Sequence, residues 1–123
     1  DTLLLDRPGL CAAYLIREHD RAAFIDCGTA LAAPRLMAAL QQQGLRPEQV
    51  DWLIVTHIHL DHAGAAGALL QQLPNAKLVV HPRGAAHMID PGKLIAGATA
   101  VYGEPHMLAN FGHPLPIDAD RVV

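Results

Sequence analysis

The sequence predicts an α/β chain in which strands alternate with helices, and three observations carry that prediction. Apolar runs of strand length, partly β-branched or aromatic, recur at residues 11–18, 22–26, 51–56 and 76–81. Helix punctuation brackets the segments between and after them: Pro34 ahead of Gly44, Pro74-Asn75 after residues 65–73, and Asp90-Pro91 ahead of Gly103. The chain is 51% hydrophobic and 17% charged over 123 residues, the balance and length of one globular domain. A domain of about this size buries roughly two-thirds of its unfolded surface, enough for a single core.

Each element follows from its residues. Only His19-Asp20-Arg21 separates the first two runs, so they pair as a β-hairpin. Cys27-Gly28-Thr29 then breaks the second strand. Residues 33–43 form a helix: Pro34 suits the first turn, where its missing N–H has no helical partner anyway, and Gly44 suits the stop. Leu36, Met37 and Leu40 share a face there and pack the core. After the turn at residues 46–50, residues 51–56 (DWLIVT) read as a continuous strand buried on both faces. Residues 65–73 supply a second helix, and residues 76–81 another buried strand. Asp90 suits an N-cap and Pro91 a first helical position, for a helix running to about Tyr102. The last twenty residues, rich in Pro, Gly and His, carry no clear periodicity.

Composition excludes several classes of partner. The net charge is −3 and the pI about 6.2, with basic residues scattered singly, so no basic patch meets a nucleic-acid backbone. The apolar runs fall far short of a membrane span, and no charged-then-apolar leader is seen. A cytoplasmic location is the expectation. Cys11 and Cys27 stand alone without CxxC spacing, which indicates two buried, reduced thiols rather than a disulfide framework.

The chemistry is concentrated after Thr56, where His57, His59, Asp61 and His62 fall within six positions. Strand geometry sends alternate side chains to one side, so His57 and His59 converge if the chain stays extended. Asp61 and His62 fall where the chain turns into the next helix, and converge beside them. Neutral imidazoles and a carboxylate suit Zn²⁺, and also Fe, Mn or Co. The N-terminus of the following helix adds partial positive charge that favours an anionic group. Gly64 and Gly67 keep that helix start slim, open to a ligand or a neighbouring strand. The bland alternative is a histidine-rich surface loop, and the placement at a strand-to-helix junction tells against it.

With these residues on view, the chain resembles the metallo-β-lactamase fold superfamily of metallo-hydrolases. The family signature His-x-His-x-Asp-His after a buried strand is present as His57, His59, Asp61 and His62, flanked by Thr56 and Ala63-Gly64. Residues 24–29 (FIDCGT) are similar to the family's Asp-x-Gly turn, with Asp26 at the aspartate that supports the metal loop. Residues 81–104 are similar to one hydrolase branch, and the resemblance runs from about Pro8 onward. It implies an αβ/βα sandwich, of which residues 1–123 would be the N-terminal half: one mixed sheet with flanking helices. It also implies two zinc ions per complete domain, with iron or manganese as alternatives. His57 and His59 would hold the first and Asp61 and His62 the second, with a metal-bound hydroxide as nucleophile that Asp61 orients or relieves of its proton.

The family completes both sites with a further His, a bridging Asp and a last His from its second half. No such segment precedes Val123, and His106 and His113 lack its context. Each metal would then have two protein ligands, where a catalytic zinc takes three and a water. The expectation is a truncated half-site, inactive alone, whose open sheet face calls for the missing C-terminal half or a second copy.

The function expected is therefore a metal-dependent hydrolase of a small ester, thioester or lactone. The rivals are an iron-dependent sulfur oxidoreductase of the same superfamily and a non-catalytic half-domain that docks on a partner chain. Diiron flavoproteins usually carry Glu where His59 stands, and nucleases sit poorly with the acidic pI. Among the other candidates, Asp26 either supports the metal loop or merely caps a turn. His81 and His87 are read as structural, and His19 as solvated. Cys11 and Cys27 have no histidine at catalytic spacing. No GxSxG, P-loop or dinucleotide fingerprint competes.

Overall fold

The computed structural model describes all 123 residues. A four-stranded mixed sheet runs in the order β1 (Tyr14–Glu18), β2 (Arg21–Ile25), β3 (Val50–Ile54), β4 (Lys77–Val79). β1 and β2 form the expected antiparallel hairpin, with Glu18 opposite Arg21 and His19 turning the chain at φ 53°. Arg21 thus belongs to the strand, and its guanidinium pairs with Asp51 on β3. β2–β3 and β3–β4 are parallel, so each connection has to cross back over the sheet. α1 (Ala33–Gln42) makes the first crossover, and α2 (Leu60–Ala63) with α3 (Ala66–Gln72) makes the second. Gly44 ends α1 at φ 70°, a conformation that a Cβ would penalise.

The register decides what each sheet face buries. Leu15, Phe24, Leu53 and Leu78 are successive partners across the strands and share one face. Phe24, Leu53 and Leu78 are at most 1% exposed, and they join Leu36 and Leu40 of α1 and Leu69 and Leu70 of α3 in one core. Each such side chain contributes about 1.5–3 kcal/mol of burial free energy. The opposite face carries Tyr14, Ile25 and Ile54 in one row and Ile16, Ala23 and Trp52 in the next. There Tyr14, Ile16 and Trp52 are 62%, 51% and 42% exposed. The expectation that residues 51–56 and 76–81 are buried on both faces is therefore corrected. A continuous apolar run does not say what covers each face, and within these residues helices cover one.

Three helices follow the sheet: α4 (Pro82–Ile89), α5 (Gly92–Tyr102) and α6 (Glu104–Phe111). Asp90 acts at the start of α5, its Oδ1 accepting the Gly92 N–H at 3.0 Å. α6 corrects the reading of the last twenty residues as aperiodic. It has Pro105 in its first turn and Gly103 and Gly112 at its ends. Only Met107 is buried along it, so the apolar signal was thin; packing on α5 and on the N-terminal 3-10 turn Leu4–Asp6 supports it. The last residues return to the sheet. The Arg121 guanidinium donates to the Leu70, Leu73 and Ala76 carbonyls, and the Val123 N–H donates to the Leu78 carbonyl beside β4. No helix is long and apolar enough to cross a membrane.

Candidate metal centre

The centre is assembled at the ends of β2 and β3. The Asp26 N–H continues the parallel ladder by donating to the Ile54 carbonyl at 2.8 Å. Asp26 then turns left-handed at φ 55°, a region aspartate enters more readily than most residues. This points its buried carboxylate at the loop that follows β3. Oδ1 accepts the Thr56 N–H at 2.8 Å, and Oδ2 lies 2.8 Å from the Thr56 hydroxyl and 3.1 Å from His62 Nδ1.

That arrangement assigns the histidine tautomers. Oδ2 only accepts, so a neutral His62 carries its proton on Nδ1 and turns the Nε2 lone pair, beside Asp61 Oδ2, toward a metal. The Thr56 hydroxyl gives its single proton to Asp26. Its oxygen therefore accepts from His57 Nδ1, 3.0 Å away, and His57 too is left with a free Nε2. One carboxylate sets two imidazoles in the state that ligation needs.

The loop brings the four signature side chains together. The His57 ring centroid lies 4.9 Å from that of His59 and 4.2 Å from that of His62. His62 Nε2 lies 3.6 Å from Asp61 Oδ2. β3 ends at Ile54, so His57 and His59 converge from an irregular extended loop rather than from the strand itself. Asp61 and His62 lie in α2, immediately after His59, as the sequence suggested. Residues after β2 clamp that turn: the Cys27 N–H donates to the His62 carbonyl at 2.7 Å, and Gly28 bridges Ala63.

Gly64 serves the clamp, and Gly67 the packing of α3 on the C-terminal segment, rather than a ligand. A Cβ at Gly64 would strike the Leu60 carbonyl and sit 3.0 Å from the backbone of Thr29 and Ala30. A Cβ at Gly67 would strike the Leu115 carbonyl. What approaches closely is the chain's own backbone.

Sequence reasoning missed Cys11 as a neighbour of the centre. Its Sγ donates to the Asp61 carbonyl at 3.1 Å, and the ligand atoms of Cys11, Asp61 and His62 all lie within 4.8 Å of one another. Fifty positions separate Cys11 from Asp61, so no spacing rule links them. Cys27 is fully buried, and burial pushes its thiol well above the ordinary range. His81 is structural as expected, its Nδ1 accepting the Arg83 N–H at the start of α4, and His87 is half-buried on α4. His19 and His113 are exposed. His106 lies on α6 and lines a cleft of about 620 Å³ whose wall also includes His59 and Asp61.

Three imidazoles and a carboxylate are the residue types that suit a divalent ion of the zinc type; the rings of His57, His59 and His62 lie near one another, while the donor atoms within 4.8 Å of one another are those of Cys11, Asp61 and His62. A family profile described as the metallo-beta-lactamase superfamily matches residues 6–122. The chain belongs to the metallo-β-lactamase superfamily.

Membership accounts for the mixed sheet with its flanking helices. An uncharacterized protein of Bacillus subtilis (strain 168), YobT, is 29% identical over 70 residues, which is 57% of this chain and 29% of that one. MEM-A1, a subclass B3 metallo-β-lactamase from a soil metagenome library, is 27% identical at a TM-score of 0.59, covering 63% of this chain and 29% of its own. A metallo-β-lactamase of Cronobacter sakazakii with a HARLDQ motif covers 89% of this chain and 39% of its own at a TM-score of 0.62; at 19% identity it shows the fold alone. The chain thus spans between 29% and 39% of the length of these proteins.

Proposed function

We propose that this chain carries the metal-binding part of a metal-dependent hydrolase acting on small ester, thioester or lactone-type carbonyl substrates. The observation that carries the reading is the Asp26 network, which holds His57 and His62 with Nε2 free beside His59 and Asp61. His57 and His59 hold one divalent ion, and Asp61 and His62 a second, zinc being the first candidate. A metal bound there supplies a Lewis acid for a carbonyl oxygen and a water of lowered pKa. Asp61 is half-buried beside His62 and open to the cleft, placed to orient a water or take its proton. Asp26 and Thr56 keep the imidazoles oriented.

On this reading residues 1–123 are the N-terminal half of one domain. The other half packs against the apolar face of Tyr14, Ile16, Trp52 and Ile54 and adds the remaining donors. The exposure of that face and the greater length of the relatives support this. The test replaces Asp61 and His62 together by Ala in the full-length protein. Metal content by mass spectrometry is expected to fall by at least one ion per domain. Hydrolysis of an aryl ester, an acyl thioester and a γ-lactone is expected to fall by roughly a hundredfold or more for whichever the parent accepts. Unchanged metal content and rates would show that the site assignment is wrong.

A further inference from the structure

α5 presents an apolar surface and buries none of its residues. Across its eleven residues the only charge is Lys93. A helix apolar all round is normally enclosed, and an amphipathic one normally buries its stripe. α5 does neither. Leu94, Gly97, Ala98 and Val101 recur at helical spacing on one side, and that side lines the cleft of about 620 Å³. Across from it stand Leu60 and the metal-loop residues His59 and Asp61. Tyr102 stacks on Phe111 with centroids 5.3 Å apart and on His106 at 6.0 Å, which closes the cleft with an aromatic wall.

The volume and the lining, mostly apolar with a few polar groups, are those of a small-molecule site. Its continuity with the metal loop selects the occupant. Resting on the hydrolase reading above, we propose that this cleft takes the aliphatic acyl chain of the substrate, laid along α5 with its carbonyl at His59 and Asp61. From Leu94 to Val101 the helix advances about 10 Å, enough for a chain of roughly eight carbons. The substrate class is then medium-chain acyl esters, thioesters or lactones rather than acetyl compounds.

Gly97 gives a clean probe, because a Cβ built there meets nothing within 4 Å. Gly97→Phe fills the cleft without displacing the core, and Val101→Ser makes its wall polar at a position already 75% exposed. In the metal-loaded full-length protein, p-nitrophenyl esters from acetate to decanoate are compared by kcat/KM. The parent is expected to gain about two- to fourfold per added methylene up to roughly eight carbons, the increment of burying one CH₂. Gly97→Phe should flatten that slope, and Val101→Ser should lower it. Octanoate binding to the metal-free protein, followed by calorimetry, should weaken at least tenfold in Gly97→Phe.

A flat chain-length series in the parent, or a steep one surviving Gly97→Phe, overturns the proposal. If no ester is hydrolysed but octanoate binds and Gly97→Phe abolishes binding, the acyl cleft stands and the hydrolase reading falls. If esters are hydrolysed without chain-length preference and octanoate does not bind, the hydrolase reading stands and the cleft proposal falls.

Discussion

Asp26→Asn is the substitution that best separates a metal-organising carboxylate from a turn cap. Asparagine tolerates the left-handed backbone at φ 55°, keeps the side-chain volume, and keeps an oxygen to accept the Thr56 N–H. What changes is Oδ2, which becomes an NH₂ donor facing two groups that had donated to it. His62 Nδ1 then accepts from the new amide, and its proton moves to Nε2, so its free lone pair is lost. The Thr56 hydroxyl still has Oδ1 to donate to at 3.0 Å, so His57 keeps its own. Exchanging charge-assisted hydrogen bonds for neutral ones costs about 1–2 kcal/mol of folding stability. The larger effect falls on the metal, because loss of such a supporting group lowers affinity about 10- to 100-fold. Chelator-competition titration with zinc measures the affinity, and urea unfolding of the metal-free protein measures the stability. A pure turn cap gives the opposite split, with stability lowered and affinity kept once folded. Zinc affinity within twofold of the parent would refute the tautomer argument.

Two further outcomes test the packing around the loop and behind it. Gly67→Ala drives a Cβ into the Leu115 carbonyl, backbone that cannot swing aside. It should lower stability by about 1–3 kcal/mol in urea unfolding, and an unchanged midpoint would show that α3 and the C-terminal segment are not packed this closely. Cys27 gives a pH dependence. Burial raises its thiol pKa above the ordinary 9.0, so the folded chain keeps a proton that the unfolded chain releases. Its contribution is complete below pH 9 and falls above it, by up to about 1.4 kcal/mol per pH unit. Urea midpoints between pH 8 and 10.5 should therefore decline more steeply in the parent than in Cys27→Ala; equal slopes would mean that the thiol ionises freely in the folded chain.

Much of this protein was legible because its signals are local and mechanistic. The hairpin around His19, the helix between Pro34 and Gly44, and the metal-loop residues at the end of a strand all depend on neighbours a few positions away. Even the convergence of His57 and His59 follows from an extended chain, although the strand stops short at Ile54. The similarity of FIDCGT to a known turn pointed to Asp26, but its grip on two histidine tautomers emerged only from the hydrogen-bond geometry.

Other features had no local signature. α6 escaped because it buries one side chain and is supported by α5 and an N-terminal turn a hundred residues away. The open face of Tyr14, Ile16 and Trp52 was expected only through the family resemblance; the residues 51–56 themselves read as buried on both faces, because an apolar strand looks alike whether one face is covered or both. Cys11 comes beside Asp61, and α5 beside His59, through chain crossings that no spacing rule encodes. Sequence by itself determined that three histidines and an aspartate stand together after β3, since covalent spacing and backbone geometry act over a few positions. Only the tertiary structure decided which of them meet, because that depends on how strands and helices share one core.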